Sequence, residues 1–338
     1  MPNKIIRSIC YFTKNPSRET VGILLDINDL LVKNDYEIQT KRICASGASV
    51  KELGEKISDK DILLNVGTLN LKMANNQLDD FFGESNVSFN IESSKAEITK
   101  DCVDILFKII SGNSEKTFNF SYVFNNAPSS PFFPSGNYEK EGYSIGLQLT
   151  DLSENCDTIK EWFSEIRKVF SEINLLFKDD KEFLGIDSSI APLFNGKSSL
   201  IDFIKKIGYD FSYSALTDNY LKITEFIKKE NPKSVGLCGL MFPCLEDFGL
   251  AEEYEKGNFS IERNIFLSLH SGLGIDTYPI GIDENKERII NILKTIQGLS
   301  NKYKKPLSCR FVSDGKAKIG EKTNFKNQYL KDVIVREL

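Results

Sequence analysis

Four carboxylates are the residues of this chain best suited by type and spacing to do chemistry: Asp187, Glu246, Asp247 and Asp276. Asp187 and Asp276 each follow Gly-Ile at the end of a short apolar run, while Glu246 and Asp247 follow Pro243 and Leu245. In α/β sheets and barrels, ligands gather at the carboxyl ends of strands, so an acid delivered there is a candidate for proton transfer or for holding a cation. Carboxylates brought together repel, and they must raise a pKa, bind a cation or face water. Asp187 and Asp276 are therefore expected to share a pocket as catalytic groups and as metal ligands, with Glu246 or Asp247 within reach. Each acid also has a structural reading, since an Asp beside a turn caps backbone N–H groups and an acid pair at a helix start complements the helix dipole.

Other chemistries find fewer residues. With His270 the only histidine, the chain lacks the pairs and triads of most zinc hydrolases, so the cation it would take is a hard, oxygen-ligated one: Mg²⁺, Ca²⁺ or Mn²⁺. His270, Ser271 and Asp276 lie close in sequence, but adjacent positions point in different directions and do not make a triad. The seven cysteines are odd in number and form no C-x-x-C pair, which suggests neither a disulfide framework nor a zinc knuckle. Cys238 and Cys244 sit among apolar residues, where a thiol is inert core. A helix precedes Gly272-x-Gly274, the reverse of the order that a phosphate-binding loop requires.

The elements that must position these acids alternate along the chain. Period-two or continuous apolar runs predict strands over residues 5–12, 36–43, 61–66, 87–91, 118–124, 143–149, 182–187, 234–242, 307–312 and 333–335. Helical spacing appears over 19–34, 50–57, 98–110, 158–177, 198–207, 218–229, 260–269 and 284–303, and Trp162 inside one of these reads as packing. This alternation argues for an α/β architecture with many parallel neighbours, and the unbroken composition for one domain spanning 1–338. Residues 125–142 lose periodicity and gather prolines and glycines, yet carry Phe132, Phe133 and Tyr138. They form either a lid over a neighbouring pocket or a loop whose rings pack on the body.

Some of these segments resemble a known family. Gly239-Leu-Met-Phe-Pro-Cys-Leu-Glu-Asp247, Leu250-Ala251-Glu252, Gly274-Ile-Asp-Thr-Tyr-Pro279, Lys305-Pro-Leu-Ser-Cys-Arg310, Gly185-Ile-Asp-Ser-Ser-Ile-Ala-Pro192 and Phe132-Phe133-Pro134 are similar to the domain of unknown function family 711. The resemblance implies a fold like that of the pyruvate formate-lyase-like glycyl-radical enzymes: a ten-stranded α/β barrel with a loop inserted into its centre. It does not imply their reaction, because the C-terminal residues 329–338 lack the radical glycine motif and no two cysteines are adjacent. Ser271 stands where members of the family usually carry a cysteine.

The expected function is that of a non-radical enzyme acting on a small carboxylated or amino-acid-like metabolite through carboxylate acid/base or cation-assisted chemistry. Arg310, Lys316 and Lys318 are the candidate anion anchors, and Phe133 is the candidate contact from the loop. A metabolite-binding or regulatory protein without turnover is the alternative. With 43 basic and 48 acidic residues and no long block of one sign, the chain does not suggest a nucleic-acid surface. No run approaches a membrane span and the N-terminus has no signal-peptide core, so a cytoplasmic protein is expected, with homo-oligomerisation left open.

Overall fold

A computed structural model describes residues 4–194 and 198–338. The first three residues of the N-terminal stretch lie outside the described residues. Ten strands run in chain order: β1 (Lys4–Thr13), β2 (Tyr36–Ile38), β3 (Lys41–Ala45), β4 (Ile62–Leu69), β5 (Val87–Glu92), β6 (Phe120–Phe124), β7 (Gly142–Leu147), β8 (Phe183–Asp187), β9 (Gly274–Pro279) and β10 (Leu307–Val312). They form one mixed sheet in the order β8-β7-β1-β3-β4-β5-β6-β10-β9, with β2 paired to β1 off this path. Only β1–β7 and β6–β10 pair antiparallel, as the alternation of strands and helices leads one to expect.

The outward side chains Ile9, Tyr11, Ile43, Leu64, Phe89, Tyr122 and Ile145 join one apolar cluster with the buried faces of the helices. The helix Ile159–Leu176 shows how the sequence builds this layer. A capping box between Thr158 and Glu161 starts it, and Trp162, Ile166, Val169, Phe170 and Ile173 fall on the buried stripe. Each such side chain contributes roughly 1.5–3 kcal/mol by leaving water. Trp162 is wholly buried and its indole Nε1 donates to the Leu149 carbonyl at 2.8 Å, so it packs as the spacing predicts.

The expected closed ten-stranded barrel is corrected by the ladder, which is not closed by hydrogen-bonded strands because its edges β8 and β9 do not pair. Between them runs 234–248, which was expected to hold a strand over 234–242. It makes only single parallel bridges, Ile186 to Ser234 and Ile190 to Leu240 on one side, and Leu240 to Gly272 and Pro243 to Asp276 on the other. The reason is local. Gly236 and Cys238 have φ of 71° and 46°, and Pro243 lacks an N–H, so the extended ladder is interrupted repeatedly. The predicted strand over 333–335 likewise reduces to one bridge, Lys322 to Ile334.

Candidate functional site

The inner face of the sheet is polar. Arg7, Arg42, Asn65, Ser88, Asn90, Ser121, Ser144 and Arg310 are all buried, although they alternate with the apolar residues that meet the helices. Buried polar groups must find partners, and here the loop 125–142 supplies them. Asn65 Nδ2 donates to the Pro134 carbonyl at 3.0 Å, and Asn90 Nδ2 donates to those of Pro134 and Gly136 at 2.8 and 2.9 Å. Phe133 and Tyr138 of the loop pack on a small inner cluster of Cys10, Phe12, Cys44 and Leu184. Beside the loop remains a cavity of about 320 Å³, lined among others by Arg7, Arg42, Ser121, Phe118, Phe132, Phe133, Glu246, Asp276, Arg310 and Tyr329.

Five ionic side chains dominate that cavity. Glu246 is gripped from two sides, by Arg310 NH2 at 2.5 Å on Oε1 and by Arg7 NH2 at 3.3 Å on Oε2. Arg310 Nε also donates to Asp276 Oδ1 at 2.6 Å. Arg42 has no carboxylate partner among the described residues. Its Nε donates to Thr40 Oγ1 at 3.0 Å and its NH1 to the Pro131 carbonyl at 3.1 Å. Each guanidinium lies over a ring, Arg42 over Phe133 at 5.1 Å, Arg310 over Phe118 at 4.8 Å and Arg7 over Tyr329 at 5.9 Å.

Asp61 lines the cavity from an exposed position, so in its inner part three guanidinium groups stand against the carboxylates of Glu246 and Asp276, an excess of one positive charge. Burial and then the neighbouring Arg7 push Arg42 down to about 9 from the usual arginine value, a measure of how poorly its charge is compensated. Burial likewise raises Glu246 above the ordinary glutamate value, against the pull of Arg310 and Arg7 and with the help of Asp276. Arg310 loses by burial but gains more from Asp276 and Glu246, and ends above its usual value.

Sheet irregularities aim these groups. The β1–β7 register shifts between Ile6 and Ser8, flanking Arg7, and the β9–β10 register shifts between Cys309 and Phe311, flanking Arg310. Opposite the second shift, Thr277 has φ of 38°, which for a β-branched residue costs on the order of 1–3 kcal/mol. Bulges re-aim side chains where regular pleating would not, and two of the sheet's four register shifts among the described residues fall at ionic residues of the cavity, the others lying at Asn65–Thr68 and Tyr143–Ser144. The single bridge between Pro243 and Asp276, with Cys244 N donating to the Asp276 carbonyl at 2.9 Å, sets Glu246 beside Asp276.

The structure brings together Glu246, Asp276, Arg310 and Phe133 of the sequence candidates, and leaves the others elsewhere. Asp187 ends β8 but does not line the cavity. Its carboxylate accepts from Ser130 Oγ, Ser189 N, Ser189 Oγ, Leu237 N and Cys238 N at 2.6–3.1 Å, so it caps the turn at Ser189 and also ties in the distant segments at Ser130 and 237–238. A Cβ at Gly236 would collide with that carboxylate, which explains the glycine there. Asp247 caps the helix Phe248–Glu255 and also accepts from Ser199 Oγ and Leu200 N, at the start of the helix Leu200–Lys206. Burial raises its pKa to about 7, opposed by the Ser199 and Leu250 donors. Asp276 lies inside β9 rather than at its end. Lys316 lines a neighbouring cavity of about 690 Å³, and Lys318 lines neither.

A divalent cation held by Asp187 and Asp276 does not fit this arrangement. Asp187 is surrounded by donors, Asp276 is held by Arg310, and no group of three His, Cys, Asp or Glu residues among the described residues is placed to hold a metal. Sequence reasoning missed Arg7 and Arg42. For Arg7 the signal was present, a lone charge inside the largely apolar strand run IIRSICYF, whereas Arg42 stands beside Lys41 in KRICA and nothing in the sequence separates the two.

An α/β protein with an arginine-rich cavity on the inner face of its sheet is thus the class that the geometry defines. Within it the chain belongs to the uncharacterised family DUF711, whose model, described as an uncharacterised ACR, matches residues 82–327. Similar curated proteins are UPF0210 proteins of Thermoanaerobacter sp. strain X514 (23% identical over 276 residues, 70% of this chain and 60% of the relative) and of Agathobacter rectalis (25% over 260 residues, 67% and 57%). A UPF0210 protein of Methanosarcina mazei is 22% identical over 270 residues, covering 70% of this chain and 60% of its own length. The chain therefore spans about three fifths of the length of the curated relatives it matches. No helix among the described residues is long and apolar enough to cross a membrane.

Proposed function

We propose that the cavity binds a small carboxylated or amino-acid-like metabolite whose carboxylate sits on Arg42. The observation that carries this reading is Arg42 itself, buried beside Arg7 with no carboxylate partner among the described residues while lining a cavity of about 320 Å³. An uncompensated buried charge costs several kcal/mol, and an anionic ligand with two parallel acceptors removes that cost. Glu246 is the acid/base group of this reading, since it lines the cavity and burial moves its pKa upward from the usual glutamate value. Loop 125–142 is the lid, because Phe132 and Phe133 form part of the wall.

A second reading, binding without turnover, has its own support, because both cavity carboxylates are already held by guanidinium groups and Glu246 by two of them. Incubating the chain with a metabolite mixture and weighing what is retained and what is converted separates the two. Retention of an unchanged acid supports the second, and a changed mass supports the first. Arg42→Gln tests the shared site: anion affinity should fall about tenfold to a hundredfold, as expected for a charge-assisted bond of roughly 1.5–3 kcal/mol. Unaltered affinity in that variant removes the assignment.

A further inference from the structure

The cavity carries a second set of unsatisfied groups on the wall opposite Arg42. Ser121 on β6 is 1% exposed, lines the cavity, and its Oγ has no hydrogen-bond partner among the described residues. Arg310 holds Asp276 through Oδ1 only, and no hydrogen bond to Oδ2 is found among the described residues. On the other wall, Arg7 Nε is buried and unpartnered, beside Arg42. Arg7 and Arg310 grip opposite oxygens of the single Glu246 carboxylate, so Glu246 links the two sets of groups around one cavity.

Charge selects the ligand. Asp61 also lines the cavity but is exposed, where water screens its charge; among the inner groups, three guanidinium groups face the two carboxylates of Glu246 and Asp276, so one net negative charge on the ligand neutralises the inner site. A dianion would set its second carboxylate against Asp276, and a zwitterion would leave the positive excess in place. A neutral hydroxyl meets both needs of the far wall, since it donates to Asp276 Oδ2 and accepts from the Ser121 hydroxyl. Phe118, Phe132 and Met241 line the space between and offer apolar contact to the carbon skeleton.

We infer that the ligand is a monoanionic hydroxycarboxylate, its carboxylate on Arg42 and Arg7 and its hydroxyl on Asp276 and Ser121. This rests on the carboxylate-binding reading of the cavity and narrows it to one charge class.

The test is titration calorimetry on the full chain near neutral pH with five probes of matched bulk: phenyllactate, hydroxyphenylpropanoate, phenylpropanoate, free tyrosine and benzylmalonate. One of the two hydroxylated monoanions should bind at least tenfold more tightly than tyrosine and benzylmalonate, and more tightly than phenylpropanoate. Asp276→Asn adds a positive charge to the balance, so it should shift preference toward benzylmalonate and erase the advantage of the hydroxyl. If the five probes bind but tyrosine or benzylmalonate matches the hydroxy acids in the wild-type chain, the charge-class inference is wrong while the carboxylate site stands. If none of the five binds, the carboxylate reading falls and this inference with it.

Discussion

Asp187 and Glu246 were equals as sequence candidates, and their surroundings give them opposite roles. Five donors converge on Asp187, so Asp187→Ala leaves several buried N–H and O–H groups without an acceptor. At roughly 1–3 kcal/mol for each such group, partly recovered by relaxation, we expect a loss of about 3 kcal/mol or more in urea unfolding. Ligand affinity of the folded fraction should be unchanged, and a selective loss of binding without loss of stability would return Asp187 to the site. Glu246 behaves otherwise. Burial raises its folded pKa above the usual 4.5, so the folded state holds more protons than the unfolded one in the window just above that value. Its contribution to stability is therefore full below the unfolded pKa and is lost as pH rises through the folded one. Since Arg310, Asp276, Arg7 and Arg42 surround it, an anion bound on Arg42 raises that pKa further. Anion affinity should weaken with rising pH across this window and binding should take up a proton, measured by calorimetry in buffers of different ionisation heat. Glu246→Gln should flatten the profile. That Glu246 rather than its neighbour Asp247 faces the cavity was not legible in the sequence, because adjacent acids can be told apart only once the backbone direction at Pro243 is known.

Apolar runs made β1, β5 and β6 legible, and the aromatic content of 125–142 marked that loop as more than a linker, whereas the one strand expected over 36–43 divides into β2 and β3. Two things could not be read. The Gly-rich run 234–242 has the composition of a buried strand, but positive φ at Gly236 and Cys238 breaks its ladder, and nothing in residue type alone forces a cysteine into that conformation. The bulges, at Arg7 in β1 and at Asp276–Thr277 in β9, are likewise properties of paired strands, so a strand read singly does not show them. The loop's attachment supplies a prediction at this scale. Asn90 holds two of its carbonyls, Pro134 and Gly136, and is wholly buried. Asn90→Leu removes both bonds, so the Gly136 carbonyl loses its side-chain donor while Pro134 keeps Asn65, and the Thr68 hydroxyl loses its acceptor, for a cost of about 1–3 kcal/mol. Hydrogen exchange should accelerate in 131–137 while the outer layer, with Trp162 and its helix, keeps its protection. Uniform acceleration across the chain would mean that the loop and the sheet open together.

On the scale of the whole molecule, the sheet separates an apolar outer layer from a polar inner chamber, and the cysteines sample both. All seven are free and buried. Cys102 and Cys309 belong to the outer cluster, while Cys10 and Cys44 lie in the inner cluster against Phe133 and Tyr138. Burial pushes the Cys44 thiol up to about 12, and burial, then Cys44, raises Cys10, so neither is a ready nucleophile in the closed protein. Their alkylation therefore requires an opening. For the outer pair that opening separates helices from the sheet, whereas for the inner pair withdrawal of 125–142 suffices, because the loop supplies the rings that cover them. Under mild alkylation followed by mass analysis, Cys10 and Cys44 should label faster than Cys102 and Cys309. Asn90→Leu should widen that difference. A ligand seated on Arg42, whose guanidinium already lies over Phe133, holds the loop from the cavity side, so a saturating hydroxycarboxylate should slow the inner pair and leave the outer pair unchanged. Equal labelling of the two pairs, with and without ligand, would show that the chamber opens only by global unfolding and that the loop is a fixed plug rather than a lid.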